Sequence, residues 1–200
     1  MPEATIRGFI ERKQDWIYKH WRQRQHTVQP ARQYVTGDVL PFFGKDLPII
    51  LTETNKVDIA RLYFVENEFH IFAPPRYLAS KRVKDLKPQL VAWYMANSLA
   101  PLEKRTREFA KLIGSTCRSV RLKAVTSIWG SCSPEQDITY NWKLALAPQT
   151  VSDYVIAHEV SHLVYKHHQR SFWDCVRRFS PEYKFHIRWL KRHGRTLSLS

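Results

Sequence analysis

The stretch His158-Glu159-Val160-Ser161-His162 constrains this chain more than any other part of its sequence. Two histidines four positions apart stand one turn from each other on one face of a helix, with a glutamate directly after the first. Neutral imidazoles so placed suit a zinc ion, and the adjoining carboxylate is positioned to take a proton from a water at that ion. The flanking residues supply the helix. Pro148 ends a preceding strand, and Thr150 with Asp153 three residues later makes a capping-box-like start for a segment running through Val164. Val151, Tyr154, Val155, His158 and His162 fall on one stripe at helical spacing, predicted to face the interior. Core histidines satisfied by backbone carbonyls are the bland alternative. Burying two stacked imidazoles without a shared partner is costly, which favours a metal.

Catalytic zinc sites keep three protein ligands and one open position. His168 is the expected third ligand. Six residues beyond His162, it would sit about 240° around and about 9 Å along a continuous helix, so the helix must break between Leu163 and His168. The histidine spacing equals that of the metzincins, but Tyr165 stands where they have a turn glycine, and both methionines, Met1 and Met95, lie upstream of the site. His167, Asp174, Glu182 and His186 are the other candidates for the third position.

A candidate β-hairpin precedes this helix. Val120, Leu122 and Ala124 alternate with basic residues, and Ile138, Tyr140, Trp142, Leu144 and Leu146 alternate with Thr139, Asn141, Lys143 and Ala145, which predicts two strands with one buried face. Residues 130–137 form the expected connecting loop, and Trp142 is expected to pack. Cys132, in that loop, reads as a half-buried structural thiol in preference to a metal neighbour.

The runs Ser127-Ile128-Trp129-Gly130-Ser131-Cys132-Ser133, Ile138-Thr139-Tyr140-Asn141-Trp142-Lys143-Leu144 and Asp153-Tyr154-Val155-Ile156-Ala157-His158-Glu159, with His167-His168 and Phe172-Trp173, resemble the YgjP-like metal-dependent hydrolases, bacterial relatives of the SprT-like zinc metallopeptidases. The resemblance is densest over residues 120–192 and runs more weakly back to Ile6. It implies an α+β, zincin-like core, a small antiparallel sheet packed on the metal-binding helix, with zinc held by His158, His162 and His168 and with Glu159 catalytic. Ile128 stands where that family usually has Arg. His167 stands where it usually has Asn, which makes His167 a rival of His168. The resemblance also implies a β segment upstream of residue 1, consistent with a truncated or divergent N-terminus.

Elsewhere the organisation is legible from periodicity. Ile6, Phe9, Ile10, Ile17 and Trp21 predict an amphipathic helix over residues 4–25. Gly37 and Gly44 punctuate short β segments, 47–53 and 57–65 read as strands, and Glu66-Asn67-Glu68 as a turn into a strand over 69–73. Residues 88–113 read as a helix with a kink or break at Pro101 and a cap at Gly114. Phe172 to Phe179 and Tyr183 to His193 read as two further helices, with Gly194 past the end. Tyr183 and His186 could donate to an oxyanion, but packing is the preferred role. The domain division expected is 1–86, an N-terminal helix with a β-meander lobe, and 87–200, the catalytic domain.

With 200 residues and 44% hydrophobic content, the chain can bury one substantial core. It has no apolar run long enough for a bilayer, its start is not a secretory signal, and its three cysteines make no disulfide framework, so a cytoplasmic protein without a membrane partner is expected. A formal net charge of +14, dense at Arg177-Arg178, Lys184, Arg188, Lys191-Arg192 and Arg195, predicts a basic surface able to contact nucleic acid, although no nucleic-acid-binding motif appears. No motif encodes an oligomeric state.

The expected activity is hydrolysis of a protein or peptide by a zinc-activated water, with Glu159 as general base and later proton donor to the leaving amine. One alternative is a metal-dependent nucleoside-triphosphate (UTP) pyrophosphatase, against which stand the lack of clustered carboxylates and of a Gly-rich phosphate loop. The other is a nucleic-acid-associated protein whose structural zinc would be closed by a further ligand such as Cys132.

Overall fold

Alternating apolar residues in the first half of the chain form four strands, β1 (Val39–Phe42), β2 (Lys45–Glu53), β3 (Arg61–Val65) and β4 (Glu68–Ala73), in the sheet order β1-β2-β4-β3. The computed structural model describes residues 13–14, 33–77, 86–125 and 127–199, and the helix expected over 4–25 lies outside them but for positions 13 and 14. The chain divides into two compact units, Met1–Ala31 and Arg32–Ser200, and all the strands belong to the second.

Two tight hairpins make up this sheet. Phe43, Gly44, Glu66 and Asn67 at their turns all have positive φ, the backbone geometry whose twist matches two antiparallel strands joined by two residues. Between the hairpins, β2 and β4 run parallel, with Ile49 opposite Phe69 and Leu51 opposite Ile71. The parallel pairing arises because residues 54–60 carry the chain across to the far edge before β3 begins, so the strand expected from Val57 starts at Arg61.

A long helix, α1 (Leu86–Leu112), runs through Pro101 without a break. Proline removes a single ladder bond there, while Leu86, Leu90 and Tyr94 before it and Leu102, Thr106 and Phe109 after it are all buried, so packing holds both halves in line. Gly114 caps the end at φ +69°, and Ser115 N–H donates back to the Ala110 carbonyl at 2.9 Å. Trp93 of α1 enters the sheet among Phe42, Phe64 and Phe69 at centroid distances of 5.1, 4.5 and 4.6 Å.

A second sheet holds β5 (Ser119–Lys123), β6 (Gly130–Cys132) and β7 (Asp137–Asn141), in the order β5-β7-β6. The hairpin predicted between 120–124 and 138–146 is replaced by a parallel pairing of β5 with β7, Val120 lying opposite Ile138. The antiparallel partner of β7 is β6, which arises inside the expected loop. Strand β7 also stops early, and residues Trp142–Leu146 wind into a 3-10 helix. The Asn141 carboxamide is the reason: its oxygen accepts from Lys143 N–H at 3.1 Å, and its nitrogen donates to the Val125 and Ile128 carbonyls at 2.8 and 3.1 Å. These side-chain bonds take the place of ladder bonds. Ala145, predicted to face outward, is fully buried.

Further along, the described residues form α2 (Gln149–Ser161), α3 (Arg170–Phe179) and α4 (Tyr183–His193), the last followed by a short 3-10 turn, Gly194–Thr196. No helix among the described residues is long and apolar enough to cross a membrane. The second sheet packs against α2, giving the α+β arrangement of a small sheet over the helix that carries His158 and Glu159.

Candidate active site

Helix α2 starts at Gln149 with Pro148 as its cap residue and no side-chain cap, so the expected Thr150–Asp153 box does not form. Asp153 instead accepts two bonds of 3.1 Å from the Arg105 guanidinium, tying α2 to α1. Inside the helix, burial extends around nearly the whole circumference: Ser152, Ile156, Ala157, Val160 and Ser161 are buried along with the predicted stripe. The apolar stripe does include Val151, Tyr154 and Val155, but its lower end opens into a cleft, where His158 and His162 are only partly buried.

The helix ends at Ser161, earlier than expected, and His162 is its C-cap residue. A turn closed by Val164 N–H and Tyr165 N–H on the Ser161 carbonyl (3.2 and 2.8 Å) reverses the chain without a glycine. This reversal returns His168 to the helix face, with its Nε2 3.2 Å from Nε2 of His158. One ring nitrogen from each of His158, His162 and His168 can be chosen so that all lie within 4.8 Å of one another. Nδ1 of His162 lies 2.9 Å from the Tyr165 carbonyl, which leaves its Nε2 free. Nδ1 of His158 is buried without a hydrogen-bond partner.

A floor of aromatic rings holds the trio. Phe172, fully buried, contacts the rings of His158, His162 and His168 at 4.9, 4.6 and 4.6 Å, and Trp173 stacks on His168 at 5.8 Å. Burial pushes the His158 imidazolium down to about 4, helped by the neighbouring His162 and His168, and pushes His162 down as well, so both rings are neutral at physiological pH.

Glu159 is 6% exposed, and burial alone pushes its carboxyl up to about 8. Its side chain lies against Gly130 of β6: a Cβ built there would fall 2.7 Å from both Cγ and Oε1. Gly130 therefore serves a close approach, not a turn. Sequence reasoning missed it because it read the glycine as one turn former in a loop. Two branches of the cleft meet at Gly130, His158 and Glu159. One, about 220 Å³, passes Ile128, Trp129, Tyr154 and Leu190; the other, about 290 Å³, passes Ser131, Cys132, His162 and Lys166.

The remaining candidates stand apart. His167 and Glu182 are exposed, Asp174 pairs with Arg177 at 3.1 Å, and His186 is buried beside Tyr154. Tyr183 stacks on Trp173 at 5.1 Å. Cys132 lines the cleft outside the imidazole trio, and like Cys117 and Cys175 it is a free thiol.

The sequence matches the family described as YgjP-like, metallopeptidase domain, over residues 1–193. The chain belongs to the YgjP-like family. Among solved structures, the metallopeptidase zymogen abylysin of Pyrococcus abyssi is similar, at 20% identity and a TM-score of 0.38 over 43% of this chain and 90% of that one. No curated protein matches the chain. Membership in the YgjP-like family makes this a metal-dependent hydrolase of the metallopeptidase kind, to which a divalent ion belongs.

Proposed function

We propose that this YgjP-like chain is a zinc peptidase in which His158, His162 and His168 hold the ion and Glu159 is the general base. The convergence of three imidazoles within 4.8 Å beside a buried carboxylate carries this reading. The residues fit the ion. Two nitrogens on one tetrahedral zinc stand about 3.3 Å apart, and Nε2 of His158 and of His168 are 3.2 Å apart. Imidazoles with no carboxylate among them favour zinc over magnesium. Zinc held there supplies Lewis acidity toward a scissile carbonyl and toward water.

The chain's own groups do the rest. Burial keeps His158 deprotonated and therefore able to donate its lone pair. The Tyr165 carbonyl fixes which nitrogen of His162 faces the cleft. Glu159, buried one residue from His158, accepts a proton from the attacking water and returns it to the leaving amine. Strand β6 is an edge of its sheet, and Gly130, Ser131 and Cys132 line the cleft, so an extended peptide can bind by adding a strand beside it.

The test is Glu159→Gln. This variant should retain one zinc per chain by metal analysis while turnover of an unfolded protein substrate falls by about 10²–10⁴-fold. Unchanged turnover would overturn the role of Glu159. Hydrolysis of UTP in place of peptides by the wild type would replace the peptidase reading with the pyrophosphatase one.

A further inference from the structure

The branch of the cleft that passes Tyr154 is bordered by Ile128, Trp129 and Leu190. The same three residues also wall a larger cavity of about 560 Å³. Lys143, Lys191 and Arg195 line it, and among the described residues no acidic side chain does. None of these three cations forms an ion pair with a carboxylate among the described residues. The opposite branch differs: its cation, Lys166, donates to the His162 carbonyl at 2.9 Å and is thereby engaged.

Specific contacts shape this cavity. Asn141, 4% exposed, holds the Val125 and Ile128 carbonyls and so fixes one wall. Gly194 admits the Trp129 ring, since a Cβ there would fall 2.6 Å from it. The helix end at this wall is self-contained: Gly194 N–H donates to the Leu190 carbonyl, and the Thr196 hydroxyl to that of His193 at 2.8 Å. The Leu190 and His193 carbonyls are thus bonded within the chain and compete little for the neighbouring cations.

We propose that this cavity is a specificity subsite for a carboxylate of the peptide substrate, either an acidic side chain or the C-terminal carboxylate, drawn in by Lys143, Lys191 and Arg195. The assignment rests on the peptidase reading. Adjacency to the Glu159 cleft, through the shared Ile128, Trp129 and Leu190, puts such a group within reach of the same bound chain as the scissile bond. A fork-shaped guanidinium and two ammonium groups suit one planar, singly charged acceptor. A polyphosphate is the poorer fit. On the side of Leu190, Lys191 and Gly194 the backbone is the C-terminal end of α4, where carbonyls predominate, the opposite of the N–H nests that cradle phosphates.

The test measures binding apart from cleavage. Zinc-loaded Glu159→Gln protein is titrated, by fluorescence anisotropy, with three short labelled peptides of one frame: neutral and amidated, neutral with a free C-terminus, and amidated with a glutamate scanned through the frame. At least one carboxylate peptide should bind about tenfold more tightly than the neutral amidated one, and which one does so identifies the source. Adding Lys143→Gln, Lys191→Gln and Arg195→Gln together should erase that preference and leave the neutral peptide's affinity unchanged. The single variants serve if the triple variant loses its zinc or its circular dichroism. Equal binding of all three peptides, or a preference that survives the triple variant, overturns the proposal. So does cation-dependent binding of UTP or an oligonucleotide that exceeds that of every peptide. Wild-type cleavage with no carboxylate preference would remove the subsite and leave the peptidase. Cation-dependent carboxylate binding with no cleavage of any peptide would remove the peptidase and leave the subsite.

Discussion

The four-stranded sheet meets α1 through rings, with Trp93 seated among Phe42, Phe64 and Phe69, whereas the three-stranded sheet meets α2 where a side chain is missing, at Gly130. Both sheets come from alternating apolar sequence. In the first, the Trp93 ring packs against three others, and the contact serves stability. In the second, the space left by Gly130 is taken by a carboxylate with burial and no neutralising partner, an arrangement that costs stability and yields a group of raised proton affinity. The difference teaches that the two halves of this unit should respond differently to loss and to gain of volume.

Three experiments press on that contrast. Trp93→Ala, which empties the aromatic contact, should destabilise the protein by about 3–5 kcal/mol in urea unfolding while zinc affinity at the imidazole trio stays as in the wild type. A parallel loss of zinc would mean the lobe and the site are coupled. Gly130→Ala should do the reverse: the added methyl displaces the Glu159 carboxylate, so zinc is retained and turnover drops by about 10²-fold. Full activity in this variant would show that the close approach is incidental.

The smallest effect is a pH dependence of the metal-free protein, measured by thermal unfolding in chelator. Glu159 is held above its ordinary value of 4.5, at about 8, so its contribution is fully present below pH 4.5 and is lost as pH rises through 8. His158 is held below 6.5, at about 4, so its contribution is present above 6.5 and is lost as pH falls toward 4. Stability should therefore decline on both sides of mildly acidic pH. Glu159→Gln should flatten only the alkaline limb, by on the order of 1–2 kcal/mol once softened by water in the open cleft. An alkaline limb unchanged in that variant would assign it to another group.

Elements whose signals are local were legible beforehand. The helix bearing His158 and Glu159, the long helix ended by Gly114, the Glu66-Asn67 turn and the last two helices all stand within a few residues of expectation, because spacing and turn chemistry act over short stretches. Misreadings came where a nearby side chain or a distant strand competed. The alternation over 138–146 reads as a strand throughout, but the Asn141 carboxamide turns its second half into a buried 3-10 turn. Pairing of β7 with β5 and β6 depends on chain excursions that period two does not encode.

For the site, residue identity and four-residue spacing by themselves determined that two imidazoles and a carboxylate would share one helix end, because an α-helix repeats every 3.6 residues whatever surrounds it. Only the tertiary structure decided that His168 returns to His158, that Gly130 yields its volume to Glu159, and that Lys143, Lys191 and Arg195 gather at one cavity. Each of those is a meeting of segments whose separation along the chain is bridged by turns and packing, and no local periodicity records where such segments converge.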